Sequence, residues 1–223
     1  RALQHGQIAD AAAVGVGVGE KLAFGRRAGR AQRGHQRRIV EPGAVEFEPR
    51  RGGQRGAPLA QRGAFRQVTG KILKYNKDGE GEVWSNGPFN FSNGMALDRD
   101  EAFLYVVCSF LPGIERVRIQ ADGTAGSREV FVTLPESVPD GVVFDADGNL
   151  YVSCYAPNKI YKIGQDRRIH TLIDDWEGHT ICNPTNIAFG GPDFDQLYFA
   201  NLGRWHIGQI ASGTRGLKLV CHP

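Results

Sequence analysis

SNGMALD at 92–98, PDGVVFD at 139–145 and PTNIAFG at 184–190 are three versions of one short phrase. Each leads into an aromatic, β-branched run: LYVVC at 104–108, LYVSC at 150–154 and LYFAN at 197–201. A second half-unit follows each time, as GIERVRI at 113–119, NKIYKI at 158–163 and a weaker HIGQI at 206–210, and it also precedes the first, as GKILKY at 70–75. Tyr105, Tyr151 and Tyr198 fall 46 and 47 residues apart. About four strands repeating at that interval is the pattern of β-propeller blades. Between the strands, KDGE at 77–80, ADGT at 121–124 and ADGN at 146–149 put Asp-Gly where a tight hairpin needs positive φ. A two-sheet sandwich also alternates short strands, but it does not reuse one inner-strand phrase at even spacing. The expected fold is therefore all-β, with about three propeller blades over residues 67–223. Propellers close with roughly four to eight blades. That count, and an opening residue that is Arg1 rather than Met, lead to the expectation that the chain is a fragment.

Residues 1–66 have a different character. They contain no Ser, Thr, Asn, Tyr, Trp or Cys, and they carry 13 Lys/Arg against 5 Asp/Glu. The remainder carries 14 against 19, so the net charge of +3 belongs to the first third alone. GRRAGRAQRGHQRR at 25–38 typifies the segment, and neither a period of 2 nor one of 3.6 persists in it. Few large apolar side chains are available to offset its ordering entropy. Three readings stay open: translation of a GC-rich region out of frame, an inert disordered tail, and a basic tail binding nucleic acid or an acidic partner. The first is preferred for its excess of Arg, Gly and Ala. With only Phe24, Phe47 and Phe65 for base stacking, nucleic acid is not the expected partner.

No run approaches the roughly 20 apolar residues of a membrane span, so no membrane partner is expected. Ala11–Gly19 is too short and too poor in large apolar residues for a signal sequence. The four cysteines, Cys108, Cys154, Cys182 and Cys221, form no CxxC pair, which argues against a structural zinc site. A reduced, cytoplasmic protein is the expectation. Oligomeric state is left open.

Aligning the repeats puts Asn93, Asp140 and Thr185 at one structural position, the start of the innermost strand. Side chains there face the propeller axis, and convergent oxygens suit a hard cation such as Ca²⁺. Taken singly, Asn-Gly or Asp-Gly at a strand start is a turn signal; the matched positions favour a channel site. Asn186 and His179, the latter in WEGHTICNP at 176–184, are further candidates for substrate contact. Cys108 and Cys154 read as packing residues, since no His stands at a matching position. Trp205 and His206 read as blade core or edge, and Asp174 with Asp175 as a solvated turn.

Ser92-Asn93-Gly94, Pro139-Asp140-Gly141 with Asp145, and Ala188-Phe189-Gly190-Gly191 before Leu197-Tyr198 together resemble the SMP-30/gluconolactonase/LRE family of six-bladed propellers. Order and spacing fit across about 140 residues, the C-terminal half of that family's domain. The resemblance implies a metal-dependent hydrolase of sugar lactones or similar cyclic esters, with a divalent cation in the axial channel. Calcium is the first expectation, with Zn²⁺ and Mn²⁺ as alternatives. It assigns Asn93 and Asp140 as metal ligands and Asp140 also as the catalytic base. The metal would polarise a lactone carbonyl and acidify an attacking water. The family's first-blade Glu has no match: Glu46 and Glu48 in AVEFEP lie in the wrong context. An additional family Asn also lacks a counterpart before Val68. The competing expectation is a non-catalytic propeller fragment or interaction module.

Overall fold

The computed structural model describes residues 11–17, 68–76 and 78–219. Every regular element among them is a strand, arranged in four antiparallel sheets. The first sheet joins β1 (Ala11–Gly17), β2 (Gly70–Asn76) and β3 (Gly81–Phe89). The second runs β4 (Ser92–Leu97), β5 (Phe103–Cys108), β6 (Gly113–Ile119) and β7 (Ala125–Thr133) in sequence order. The third repeats that meander with β8 (Val138–Phe144), β9 (Leu150–Ala156), β10 (Lys159–Ile163) and β11 (Ile169–Asp174). The fourth holds β12 (Pro184–Gly190), β13 (Gln196–Asn201) and β14 (Ile207–Ala211). These are β-propeller blades, two of four strands and two of three.

The LYV strands β5 and β9 are buried on both faces, which is why they read as nearly unbroken apolar runs. Alternate side chains enter different blade interfaces, as the two-residue period of a strand requires. On β5, Leu104, Val106 and Cys108 pack towards Ile72 and Phe89 of the first sheet, while Tyr105 and Val107 pack towards Phe144, Leu150 and Val152 of the third. On β9, Tyr151 turns the other way, to Ile187, Phe189 and Leu197 of the fourth. The repeat tyrosine closes successive interfaces with the same contact. Tyr105 meets Phe144 edge-on at 4.9 Å and Tyr151 meets Phe189 edge-on at 5.2 Å. Such pairs add about 0.5–1.5 kcal/mol beyond area burial. Their hydroxyls are satisfied, Tyr105 accepting from Arg116 at 3.2 Å and Tyr151 donating to Asp145 at 3.3 Å.

Two sequence readings need amendment. Ala11–Gly17 lies in a segment where no strand is expected, yet it pairs antiparallel with β2. It occupies the place that an LYV-type strand holds in the second and third sheets. The rest of residues 1–66, with the out-of-frame and disordered-tail readings, lies outside the described residues. Trp205, expected in a blade core or edge, is instead wholly exposed in the β13–β14 connection.

Candidate functional site

The site grows from an irregularity at one point in the repeat. Pairing with the neighbouring strand slips between Ser92 and Met95 in β4, between Pro139 and Val142 in β8, and between Pro184 and Asn186 in β12. Extra residues are thus inserted at Asn93, Asp140 and Thr185, which is what a β-bulge does, re-aiming a side chain. β4, β8 and β12 are each the edge strand of their sheet, and here they meet one another. A Cβ added to Gly94 would stand 2.5 Å from the Asp140 carbonyl oxygen, and one on Gly141 would stand 2.6 Å from Asn186 Cα. The glycine of each NG or DG pair is therefore needed for close approach of inner strands, as well as for turning.

Two serines tie the strands together. Ser109 Oγ donates to the Pro139 carbonyl at 2.7 Å and accepts from Asn93 Nδ2 at 3.4 Å. Ser153 Oγ accepts from the Gly141 amide at 3.1 Å and is fully buried. Neither is singled out by the repeat. The first precedes no motif, and the second stands in a strand position filled by Val107 one blade earlier. The Ser109 contact emerges only once adjacent blades are in register, and the Ser153 contact once β8 and β9 are paired.

Asp140 and Asn93 are half-buried and adjacent. Burial pushes the Asp140 carboxyl above the usual carboxylate range, and interaction with the Asn93 amide offsets part of that rise. No Lys or Arg contributes to the balance. Among the described residues an ionised Asp140 thus has no Lys or Arg counter-charge, an environment that favours a bound cation. The donors are hard oxygens of the type calcium takes, but Ca²⁺ uses six to eight of them. Among the described residues no group of three or more His, Cys, Asp or Glu is placed to hold a metal. Type fits and number falls short, leaving the remaining positions to water, backbone or substrate oxygens.

The other candidates separate. Thr185 is half-buried at the third bulge, and Asn186 abuts Gly141 with its Oδ1 accepting from the Ile187 amide at 2.9 Å. His179 is 70% exposed at its side chain, and its Nδ1 pairs with Glu177 at 3.2 Å, on the rim rather than at the bulges. Asp175 is not merely a solvated turn residue. Its carboxylate accepts from the Thr180 and Ile181 amides, which hold its pKa low, and so shapes the 175–183 connection. Asp174 pairs with Lys159 at 2.9 Å. Burial pushes the Cys108 and Cys154 thiols up to about 12, so neither supplies a thiolate at neutral pH.

An open run of blades whose inner strands present oxygen donors at a shared bulge defines a propeller protein with an axial polar site. The model of the SMP-30/gluconolactonase/LRE-like region matches residues 52–202, more than half of the chain, and the chain belongs to that family. The chain is 28% identical over 114 residues to regucalcin of Xenopus laevis, covering 49% of this chain and 36% of that one. It is 27% identical over 137 residues to pentonolactonase XacC of Haloferax volcanii, covering 60% and 45% respectively. A solved putative gluconolactonase superposes with a TM-score of 0.58 at 19% identity, covering 69% of this chain and 49% of that structure. The chain spans less than half the length of the curated relatives it matches.

Proposed function

We propose that the protein acts as a divalent-metal-dependent hydrolase of lactones or similar cyclic esters, with Asn93 and Asp140 as its metal-binding half-site. The observation that carries this is the Asn93–Asp140 pair itself: a half-buried carboxylate with no Lys or Arg beside it among the described residues, on matched bulges of adjacent inner strands. Family membership and the similarity to a pentonolactonase support the ester-hydrolysing class. A bound Ca²⁺, Mn²⁺ or Zn²⁺ would supply Lewis-acid polarisation of the ester carbonyl and acidify water. Asp140 accepts the proton of the attacking water. Asn93 holds that carboxylate in place and stabilises its ionised form. Ser109, bonded to both blades, fixes the spacing between the two. In this reading Thr185 and Asn186, one blade further on, meet the substrate ring, and His179 meets a substituent at the rim. Such a substrate is a small molecule in the cytoplasm.

The test is hydrolysis of glucono-δ-lactone and simple γ-lactones, followed by pH-stat with and without Ca²⁺, Mn²⁺ and Zn²⁺. Metal-stimulated turnover that is lost in Asp140→Asn is the expected result. No turnover with any metal, together with no heat of Ca²⁺ binding, would sink the reading for this chain. The alternative is a non-catalytic propeller module. It is favoured by the single carboxylate at the bulges, with no group of three or more potential metal-ligating His, Cys, Asp or Glu among the described residues.

A further inference from the structure

The two ends of the blades are built from different chemistry. Ser92, Cys108, Gly113 and Thr133 are successive cross-strand partners at one end of the second sheet. Pro139, Cys154, Lys159 and Asp174 are their counterparts in the third. The bulges of Asn93, Asp140 and Thr185 lie at this end. The turns at the other end are charged, with DRDE at 98–101, ADGN at 146–149 and QDRR at 165–168. The site end carries charges as well, Glu136, Asp175, Glu177 and Arg204 among them, and it differs in its exposed aromatic side chains. Among the described residues the Phe and Trp side chains that are exposed are Phe91, Phe110, Trp176 and Trp205, and all four stand in connections at the site end. Leu111, Tyr155 and Leu202 accompany them.

Phe91 and Phe110 lie closest to the chemistry. Their rings are 4.5 Å apart and tilted by 34°, with 46% and 58% of their surface exposed. The Ser109 amide donates to the Phe91 carbonyl at 3.0 Å, and Ser109 Oγ accepts from Asn93. Phe91 also has φ of 56°. Its repeat counterpart, Asn183, has φ of 50°, a conformation that Asn tolerates and a bulky side chain does not. A ring held in a disfavoured backbone conformation and left half in water is not explained by packing. Strain of this kind gathers at ligand sites, and exposed apolar patches mark binding surfaces.

We infer that the substrate of the Asn93–Asp140 site carries an apolar substituent, an alkyl or aryl group on the lactone ring, which seats on the Phe91/Phe110 platform. This rests on the lactonase reading and narrows it from polar sugar lactones to hydrophobic ones. The ring reaches the bulges, and the substituent lies back across the rim.

The test compares γ-butyrolactone with γ-lactones bearing progressively longer alkyl chains, in the intact protein and in a Phe91→Asn/Phe110→Ser variant. Asn suits the left-handed position, so the variant keeps its backbone. The expected result is a KM that falls about threefold per added methylene until the platform is covered. In the variant, the long-over-short ratio of kcat/KM drops by on the order of tenfold. A ratio near one in the intact protein, or one unchanged in the variant, would overturn the inference. If no lactone is hydrolysed, the function proposed above fails while the rim is still read by binding of the matching lactams, which are not cleaved. Tighter binding of the alkylated lactam, lost in the variant, supports the platform; equal binding of both lactams overturns it. So does a dimer in sedimentation that the variant dissolves, since the platform would then be covered by a second copy.

Discussion

At the residue scale, Asp140 is the position where stability and function pull apart. Its folded pKa is raised by burial, so its ionised form is disfavoured in the native state. The sign follows: the protonated carboxyl contributes stability below its unfolded value near 3.9, and that contribution is lost as pH rises through the higher folded value. Asp140→Asn should therefore stabilise the fold slightly at pH 7, by less than about 1 kcal/mol after solvent screening, and raise the melting temperature accordingly. The gain should vanish near pH 3. A melting temperature that falls at pH 7 would mean that the carboxylate is held by a cation even without added metal. The shared bulge position of Asn93 and Asp140 was legible in sequence because the repeat aligns them. The contacts of Ser109, Ser153 and Phe91 were not, because they come from the neighbouring blade, from strand pairing within a blade or from backbone conformation.

At the scale of elements, the inner strands work by proximity and the hairpins by buried polar anchoring. Gly141 leaves no room for a Cβ, with Asn186 Cα at 2.6 Å and Ser153 Oγ at 2.9 Å. Backbone cannot yield as a flexible side chain can, so Gly141→Ala should cost about 1–3 kcal/mol in chemical denaturation. It should also disturb metal binding, because Asp140 moves with it. A neutral effect on both would show that the inner strands separate freely. Asp145, fully buried, accepts from the Asp147 and Asn149 amides at 3.0 and 2.8 Å, from Asn149 Nδ2 at 2.8 Å and from Tyr151, and pairs with Lys162 at 3.4 Å. Asp145→Ala strands these donors and should cost about 3–5 kcal/mol, with Asp145→Asn milder. Equal losses in the two would assign the effect to packing. The Asp-Gly turns and LYV strands were readable because turn chemistry and two-sided burial both write themselves into the local pattern. β1 was not: the Ala and Gly that make up most of AAAVGVG carry little strand preference, and the open edge of β2 supplies the reason to extend.

At the scale of the molecule, cohesion is distributed over blade interfaces rather than one core. One cluster joins the first and second sheets, another the second and third, another the third and fourth. Each sheet touches only its neighbours, so stability is approximately a sum of blade and interface terms, as in other repeat proteins. The second and third sheets are buried on both faces, whereas among the described residues the first and fourth have one partner sheet each. β14 pairs only with β13, and its Ile207 is largely exposed. Opening should therefore proceed inward from the ends. In native-state hydrogen exchange, amides of Val106 on β5 and Val152 on β9 should exchange last. Those of Ile207–Ala211 should exchange orders of magnitude sooner. Asn93 and Asp140 sit on the two doubly buried sheets, so their spacing should outlast fraying of the fourth. Added Ca²⁺ should then slow exchange at β4 and β8 selectively, by mass action on the state that binds it. Uniform protection across all four sheets would instead reveal a single cooperative unit, and would remove the basis for treating the half-site as independent of the terminal blades.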